Sequence, residues 1–87
     1  MDYYNDSQLL NFWENKFHFL NLNEESGVFT LILNRANKKN ALHPQMINEI
    51  AFCFSYISGN ENIRIVIIKS TGDTFSAGAD LKALKNN

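Results

Sequence analysis

The sequence predicts an α/β domain. Two short segments with apolar alternation come first, a helical stripe of apolar residues begins at Pro44, and a β-branched run follows at Ile63-Arg64-Ile65-Val66-Ile67-Ile68. That order of strand, strand, helix and strand, with a second helix expected from Ala79 or Asp80 onward, is an α/β pattern.

Each element has its own local reason. Residues 1–15 read as an N-terminal extension in which Ser7 is a candidate cap for a short helix holding Leu9, Leu10, Phe12 and Trp13. The extension lacks the basic face of a membrane-surface helix and is expected to dock on the domain, placed at residues 16–87. Lys16 to Leu22 alternates loosely, with Phe17 and Phe19 on one side and His18 on the other. Val28 to Leu33 is the second predicted strand, with Phe29, Leu31 and Leu33 on one face, and Asn23-Glu24-Glu25-Ser26-Gly27 joins the two as a hairpin loop. A polar loop leads on to Pro44, which suits a first helical turn because its missing N–H costs nothing there. Met46, Ile47, Ile50, Cys53, Phe54 and Ile57 share one helical stripe, and Ser58-Gly59-Asn60 ends it. Phe52 and Tyr56 fall on the opposite side, beside Gln45 and Glu49, which predicts a second contact surface met by further protein or a partner. The run from Ile63 to Ile68 is apolar at nearly every position, as a strand buried on both faces requires.

Composition narrows the function. The chain has 87 residues, 45% hydrophobic and 13% aromatic, which suits one domain and is too apolar for a disordered tail. A domain of this size buries only about 60–65% of its unfolded surface. A net charge of −1 argues against a general nucleic-acid binder. No stretch approaches the roughly 18–20 apolar residues of a membrane span. The N-terminus, with Asp2 and Asp6, reads neither as a secretory signal nor, lacking Arg, as a transit peptide. The expectation is a soluble, cytoplasmic protein, in keeping with the lone Cys53 as a buried free thiol. One Cys and two scattered His make no zinc pattern, and neither a Walker-type loop nor GxGxxG occurs. No metal or separate cofactor is expected.

The most informative stretch is Thr74-Phe75-Ser76-Ala77-Gly78-Ala79-Asp80-Leu81. A strand running through a small-residue turn toward a helix start leaves backbone N–H groups unpaired and converging. Small residues let a ligand approach that backbone, and the geometry suits a developing negative charge such as a thioester oxyanion. This string, with Leu33-Asn34-Arg35 and Asn40-Ala41-Leu42 upstream, resembles the signature of the crotonase superfamily, the enoyl-CoA hydratases and isomerases. The resemblance runs from about Gly27 to Leu84. It implies a spiral of ββα turns, of which this sequence holds the N-terminal turn and the start of the next, the first third of a usual member. It also implies an acyl-CoA thioester of the fatty-acid type as substrate, with coenzyme A part of that substrate. A full-length member would be a homo-oligomer, trimer or hexamer.

Site residues follow position by position. Taken alone, Ala77-Gly78-Ala79 reads first as a tight turn that needs small residues for packing. The upstream blocks shift that reading. The resemblance gives the Ala79 backbone N–H the role of one of two oxyanion donors, each typically worth about 2.7–4 kcal/mol. Gly78 permits the turn, and Ala77 matches the position whose carbonyl faces the adenine of CoA. Asp80 is expected to charge the helix start, where a carboxylate is favourable by about 0.3–1 kcal/mol, beside the CoA. Arg35, Lys38 and Lys39 form a basic loop that either contacts the CoA phosphates or is a solvated turn. Ala36 stands where proline commonly follows the arginine, which puts the loop's rigidity in doubt. Asn40, Ala41 and Leu42 pack the loop-to-helix corner near the CoA path, and His43 reads as N-cap-like or exposed. Ser76 is given no nucleophilic role. In the resembled hydratases the acid–base glutamates and the second oxyanion glycine lie downstream of the signature, and Glu14, Glu24, Glu25, Glu49 and Glu61 match none of them. The isolated chain is therefore expected to show no turnover. The alternative is a truncated, non-catalytic module that binds CoA or another protein.

Overall fold

The computed structural model describes residues 4–80. Helix α1 spans Asp6–Leu10 and is followed by a 3-10 turn at Phe12–Glu14. Strands β1 (Leu20–Glu25) and β2 (Val28–Leu33) form a hairpin, a second 3-10 turn covers Ala36–Lys38, helix α2 runs over Pro44–Ser58, and β3 spans Ile65–Ser70. The strands make one sheet in the order β1-β2-β3. β1 and β2 are antiparallel, from Leu20 opposite Leu33 to Glu25 opposite Val28, whereas β2 and β3 are parallel, from Val28 beside Ile65 to Leu33 beside Ser70. A parallel neighbour demands a crossover, and α2 supplies it.

The hairpin is tighter than its sequence suggests. Ser26 and Gly27 both have positive φ, 52° and 80°, so a two-residue turn replaces the expected five-residue loop, and Asn23, Glu24 and Glu25 extend β1. Positive φ at both central residues is the type I′ geometry, whose twist matches that of the strands it joins. At its other end β1 begins at Leu20 rather than Lys16. The N–H groups of His18 and Phe19 donate to the Glu49 carboxylate on α2, at 3.0 and 2.9 Å, instead of to a neighbouring strand.

The core lies between one face of the hairpin and α2. Phe12, Leu20, Phe29, Leu31, Leu33, Met46, Phe52 and Cys53 are all buried. The expected stripe on α2 is only partly right. Met46 and Cys53 are buried, but Ile47 and Phe54 remain 45% and 41% exposed. The buried arc is rotated toward Gln45, Glu49 and Phe52. The cause is the N-terminal segment, which docks on that flank. Tyr4 stacks on Phe52 with centroids 4.1 Å apart, and Phe12 stacks on Tyr56 at 4.0 Å. The second contact surface predicted at Phe52 and Tyr56 is therefore covered by the chain itself. Tyr56 Oη also accepts from Trp13 Nε1 at 3.1 Å and donates to Glu24 at 2.8 Å. The cap of α1 is Asn5, not Ser7. The Asn5 side chain accepts from the Gln8 N–H, and the Gln8 side chain accepts from the Asn5 N–H, a reciprocal capping box.

β3 departs from the expectation of a strand buried on both faces. It is an edge strand among the described residues, with Ile65, Ile67 and Ile68 exposed by 55%, 39% and 45%. No further strand or layer among those residues covers it, so its apolar pattern goes unmet there. The helix expected from Ala79 or Asp80 has not begun by Asp80, and the rest of that expectation falls outside the described residues. No helix among the described residues is long and apolar enough to cross a membrane.

Candidate active site

The signature blocks, far apart in sequence, meet at one end of the sheet. β2 ends at Leu33, and the loop beyond it turns through Lys39 and Asn40, both left-handed with φ of 52° and 53°. Asn tolerates that region because its short amide can bond locally. Here the amide is fully engaged and has no accessible surface. Asn40 Oδ1 accepts from the Arg35 N–H at 2.7 Å, while Nδ2 donates to the carbonyls of Thr71 and Thr74 at 2.7 and 2.8 Å. The Asn40 carbonyl accepts from Ser76 Oγ at 2.9 Å. Asn40 thus clamps the loop after β2 to the loop after β3.

Beyond the clamp the two loops run side by side. The Ala77 N–H donates to the Lys39 carbonyl at 3.0 Å, the Leu42 N–H to Gly78 at 2.7 Å, and the Asp80 N–H to Leu42 at 3.1 Å. This is a parallel bridge between Leu42 and Ala79. A planar trans peptide points its C=O and N–H in opposite directions. Fixing the Gly78 carbonyl on Leu42 therefore turns the N–H of the same peptide, that of Ala79, outward. The Gly78 N–H is taken by Ser76 Oγ at 3.1 Å. Of the four N–H groups from Ala77 to Asp80, only that of Ala79 has no acceptor among the described residues. Ala77, Gly78 and Ala79 are exposed. Gly78 has φ of 89°, and a Cβ there would meet nothing within 4 Å, so the backbone angle rather than crowding calls for glycine.

Arg35 sits across the bridge. Its Nη1 donates to the Ala41 carbonyl at 2.9 Å and to Asp80 Oδ2 at 2.7 Å, and its guanidinium lies over the Phe19 ring, 5.3 Å from the centroid. Both side chains of the ion pair are largely buried, at 12% and 16% exposure. Lys38 and Lys39 are exposed on the loop. Leu42 packs against the core, and His43 is the N-cap of α2, its Nδ1 accepting from the Gln45 N–H at 3.0 Å, as the sequence suggested. Pro44 takes the first helical position.

The structure brings Arg35, Ala41, Leu42 and Ala77–Asp80 together, with Lys38 and Lys39 at the rim. Sequence reasoning placed Asn40 with Ala41 and Leu42 at the loop-to-helix corner but did not foresee its clamp on the loop after β3, and it gave no site role to Phe19 or Glu49. The positive φ at Asn40 is the conformational signal, and it is not visible in the residue type alone. Glu49 is fully buried, and beyond the two backbone donors its carboxylate accepts from Gln45 Nε2 at 3.0 Å. Burial, with Glu49 nearby, pushes the Cys53 thiol from 9.0 up to about 12, so it is an inert core residue. Among the described residues no group of three or more His, Cys, Asp or Glu is placed to hold a metal ion.

Residues 23–87 match the family described as enoyl-CoA hydratase/isomerase. The chain belongs to that family. It is 43% identical over 57 residues to the mitochondrial Delta(3,5)-Delta(2,4)-dienoyl-CoA isomerase of Homo sapiens, a match covering 66% of this chain and 17% of the relative. It is 35% identical over 63 residues to the mitochondrial enoyl-CoA hydratase domain-containing protein 3 of Xenopus laevis, covering 72% of this chain and 21% of that protein. The fold is similar to that of the enoyl-CoA hydratase from Mycobacterium tuberculosis H37Rv, with a TM-score of 0.76 and 28% identity over 80% of this chain and 32% of that one. The crotonase-type fold expected from the signature is thereby met, for its N-terminal ββα turn. The chain spans only 17–21% of the length of these curated relatives.

Proposed function

We propose that this family segment supplies one wall of an acyl-CoA thioester site, with the Ala79 N–H as an oxyanion donor to the thioester carbonyl. The observation that carries the reading is the outward Ala79 N–H, which has no acceptor among the described residues, within a turn whose neighbouring N–H groups are all engaged. The Gly78 carbonyl of the same peptide accepts a short bond from Leu42, which polarises the peptide and strengthens its N–H as a donor. A donor already held in place costs no reorganisation as charge develops on the carbonyl oxygen. Ala77 offers its exposed backbone to the adenine, and Lys38 and Lys39 offer positive charge to the CoA phosphates. Ala41 and Leu42 form the corner along which the CoA passes.

Three of the described carboxylates, Glu49, Glu24 and Asp80, are already engaged and are not available to move the α-proton. Glu49 is buried with its carboxylate held by Gln45 and by the N–H groups of His18 and Phe19, Glu24 is bonded to Tyr56, and Asp80 is paired with Arg35. The isolated chain is therefore expected to bind and polarise a thioester without turning it over. The family's oligomeric assembly, trimer or hexamer, and a cytoplasmic location belong to the same proposal for the whole protein.

Acetoacetyl-CoA tests it, because its enolate absorbs in the near ultraviolet and its keto form does not. The purified chain should raise the enolate band, and Ala79→Pro, which deletes the N–H, should abolish the rise. An equal band with both proteins refutes the donor.

A further inference from the structure

We propose that Arg35 is a positioning residue for the Ala79 donor and not a ligand of the CoA phosphates. The inference rests on the oxyanion reading of Ala79 and adds to it the part that sets the donor's aim. One guanidinium nitrogen, Nη1, carries two hydrogens. One goes to the Ala41 carbonyl at 2.9 Å and the other to Asp80 Oδ2 at 2.7 Å. Ala41 precedes Leu42, and Asp80 follows Ala79, so the two contacts lie on either side of the Leu42–Ala79 bridge. Arg35 therefore staples together the two backbones whose register fixes the Gly78 carbonyl on Leu42 and, through the planar peptide, points the Ala79 N–H outward.

Three further features favour a staple over a phosphate contact. The Asp80 carboxylate already neutralises the guanidinium, and the pair is largely buried. The Phe19 ring beneath the guanidinium holds the cation from a third side. The Arg35 N–H is held by Asn40 Oδ1 at 2.7 Å, which fixes the backbone of the loop after β2 from which the side chain reaches the turn that carries Ala79. Lys38 and Lys39, next along the loop, are exposed and have no such partner among the described residues.

The test separates aim from affinity. The purified chain and its variants Arg35→Met, Arg35→Lys and Asp80→Asn are titrated with acetoacetyl-CoA, reading the enolate band at saturation, and with CoA, which lacks the thioester carbonyl, reading affinity. Loss of a charge-assisted contact should lower the bound enolate fraction about tenfold in Arg35→Met. Arg35→Lys should recover part of it, and CoA affinity should stay at the wild-type value. Asp80→Asn, which keeps the shape of the side chain, should also weaken the band. A phosphate role predicts the opposite pattern. Arg35→Met would then lose CoA affinity with a normal band, and Asp80→Asn would gain affinity by unmasking the arginine. Either result overturns the proposal. If the wild-type chain raises no enolate band, the Ala79 reading is what has failed. The staple is then read from amide hydrogen exchange at Leu42 and Asp80, where faster exchange in Arg35→Met sustains it and unchanged exchange overturns it.

Discussion

Asn40 is where the candidate site is most exposed to a stability test. Its amide makes three bonds at 2.7–2.8 Å, to the Arg35 N–H and the carbonyls of Thr71 and Thr74, and it has no accessible surface. At a net ~0.5–1.5 kcal/mol per bond, Asn40→Ala forfeits about 1.5–4.5 kcal/mol. A further cost of about 1 kcal/mol arises because alanine is less tolerant than asparagine of the φ of 53°. Against a whole-domain stability of roughly 4–13 kcal/mol for 87 residues, that is a large fraction. Two more variants separate the causes. Asn40→Gly loses the same bonds but not the backbone term, so it should be more stable than Asn40→Ala by about that 1 kcal/mol. Asn40→Asp keeps the acceptor for Arg35 but turns a charged oxygen toward two carbonyl oxygens, with no hydrogen between them, and should be the least stable of the three. Urea unfolding followed by Trp13 fluorescence, at constant m-value, gives the order. If Asn40→Asp matches wild type, or Asn40→Ala falls within about 0.5 kcal/mol of it, Asn40 is not the clamp.

Other consequences are as direct. Phe12→Ala removes a buried ring stacked on Tyr56 and should cost about 3–5 kcal/mol by thermal or urea unfolding, whereas Leu10→Ala, at a side chain 87% exposed, should stay within about 0.5 kcal/mol. Gly72→Ala places a Cβ 2.9 Å from that of Ala36 at φ of 76° and should destabilise, while Gly59→Ala, whose nearest neighbour is 3.7 Å away at an ordinary φ, should be tolerated or mildly stabilising. Comparison of the two melting temperatures decides it. Cys53 should resist thiol reagents in the native state. Because its folded pKa is raised from 9.0 to about 12, the folded protein holds a proton that the unfolded chain releases. The Cys53 contribution to stability should be level below about pH 9 and then fall by up to about 1.4 kcal/mol per pH unit toward 12, a component that Cys53→Ala should remove when the two urea curves are compared.

How far the sequence could be read depends on the range of the forces concerned. The Val28–Leu33 alternation, Pro44 at the first turn of α2 and the His43 cap are local, and each was legible from a few neighbouring residues. The type I′ turn at Ser26-Gly27 was missed because polar Asn23, Glu24 and Glu25 look like loop, yet their backbones pair across the sheet while the side chains of Asn23 and Glu25 reach water and that of Glu24 meets Tyr56. The stripe on α2 was drawn from the helix alone, and docking of Tyr4 and Phe12 on its flank shifted the buried arc. The β-branched run of β3 marked a strand correctly, but which faces are covered depends on neighbours that a strand's own residues do not specify.

The candidate site divides along the same line. Small residues at Ala77-Gly78-Ala79 indicated by themselves a tight turn with little side-chain cover over the main chain. The residue types of Leu33-Asn34-Arg35, Asn40-Ala41-Leu42 and Phe75–Leu81 likewise sufficed to indicate the family to which the chain belongs. Tertiary structure alone decided that Arg35 meets Asp80, that Asn40 closes on Thr71 and Thr74, and that Leu42 takes the Gly78 carbonyl. Those contacts join residues 31–45 positions apart, and their directions are set by the packing of β2, α2 and β3. A sequence records which donors and acceptors exist, and only the assembled backbone determines which of them are used and which one, at Ala79, is left facing out.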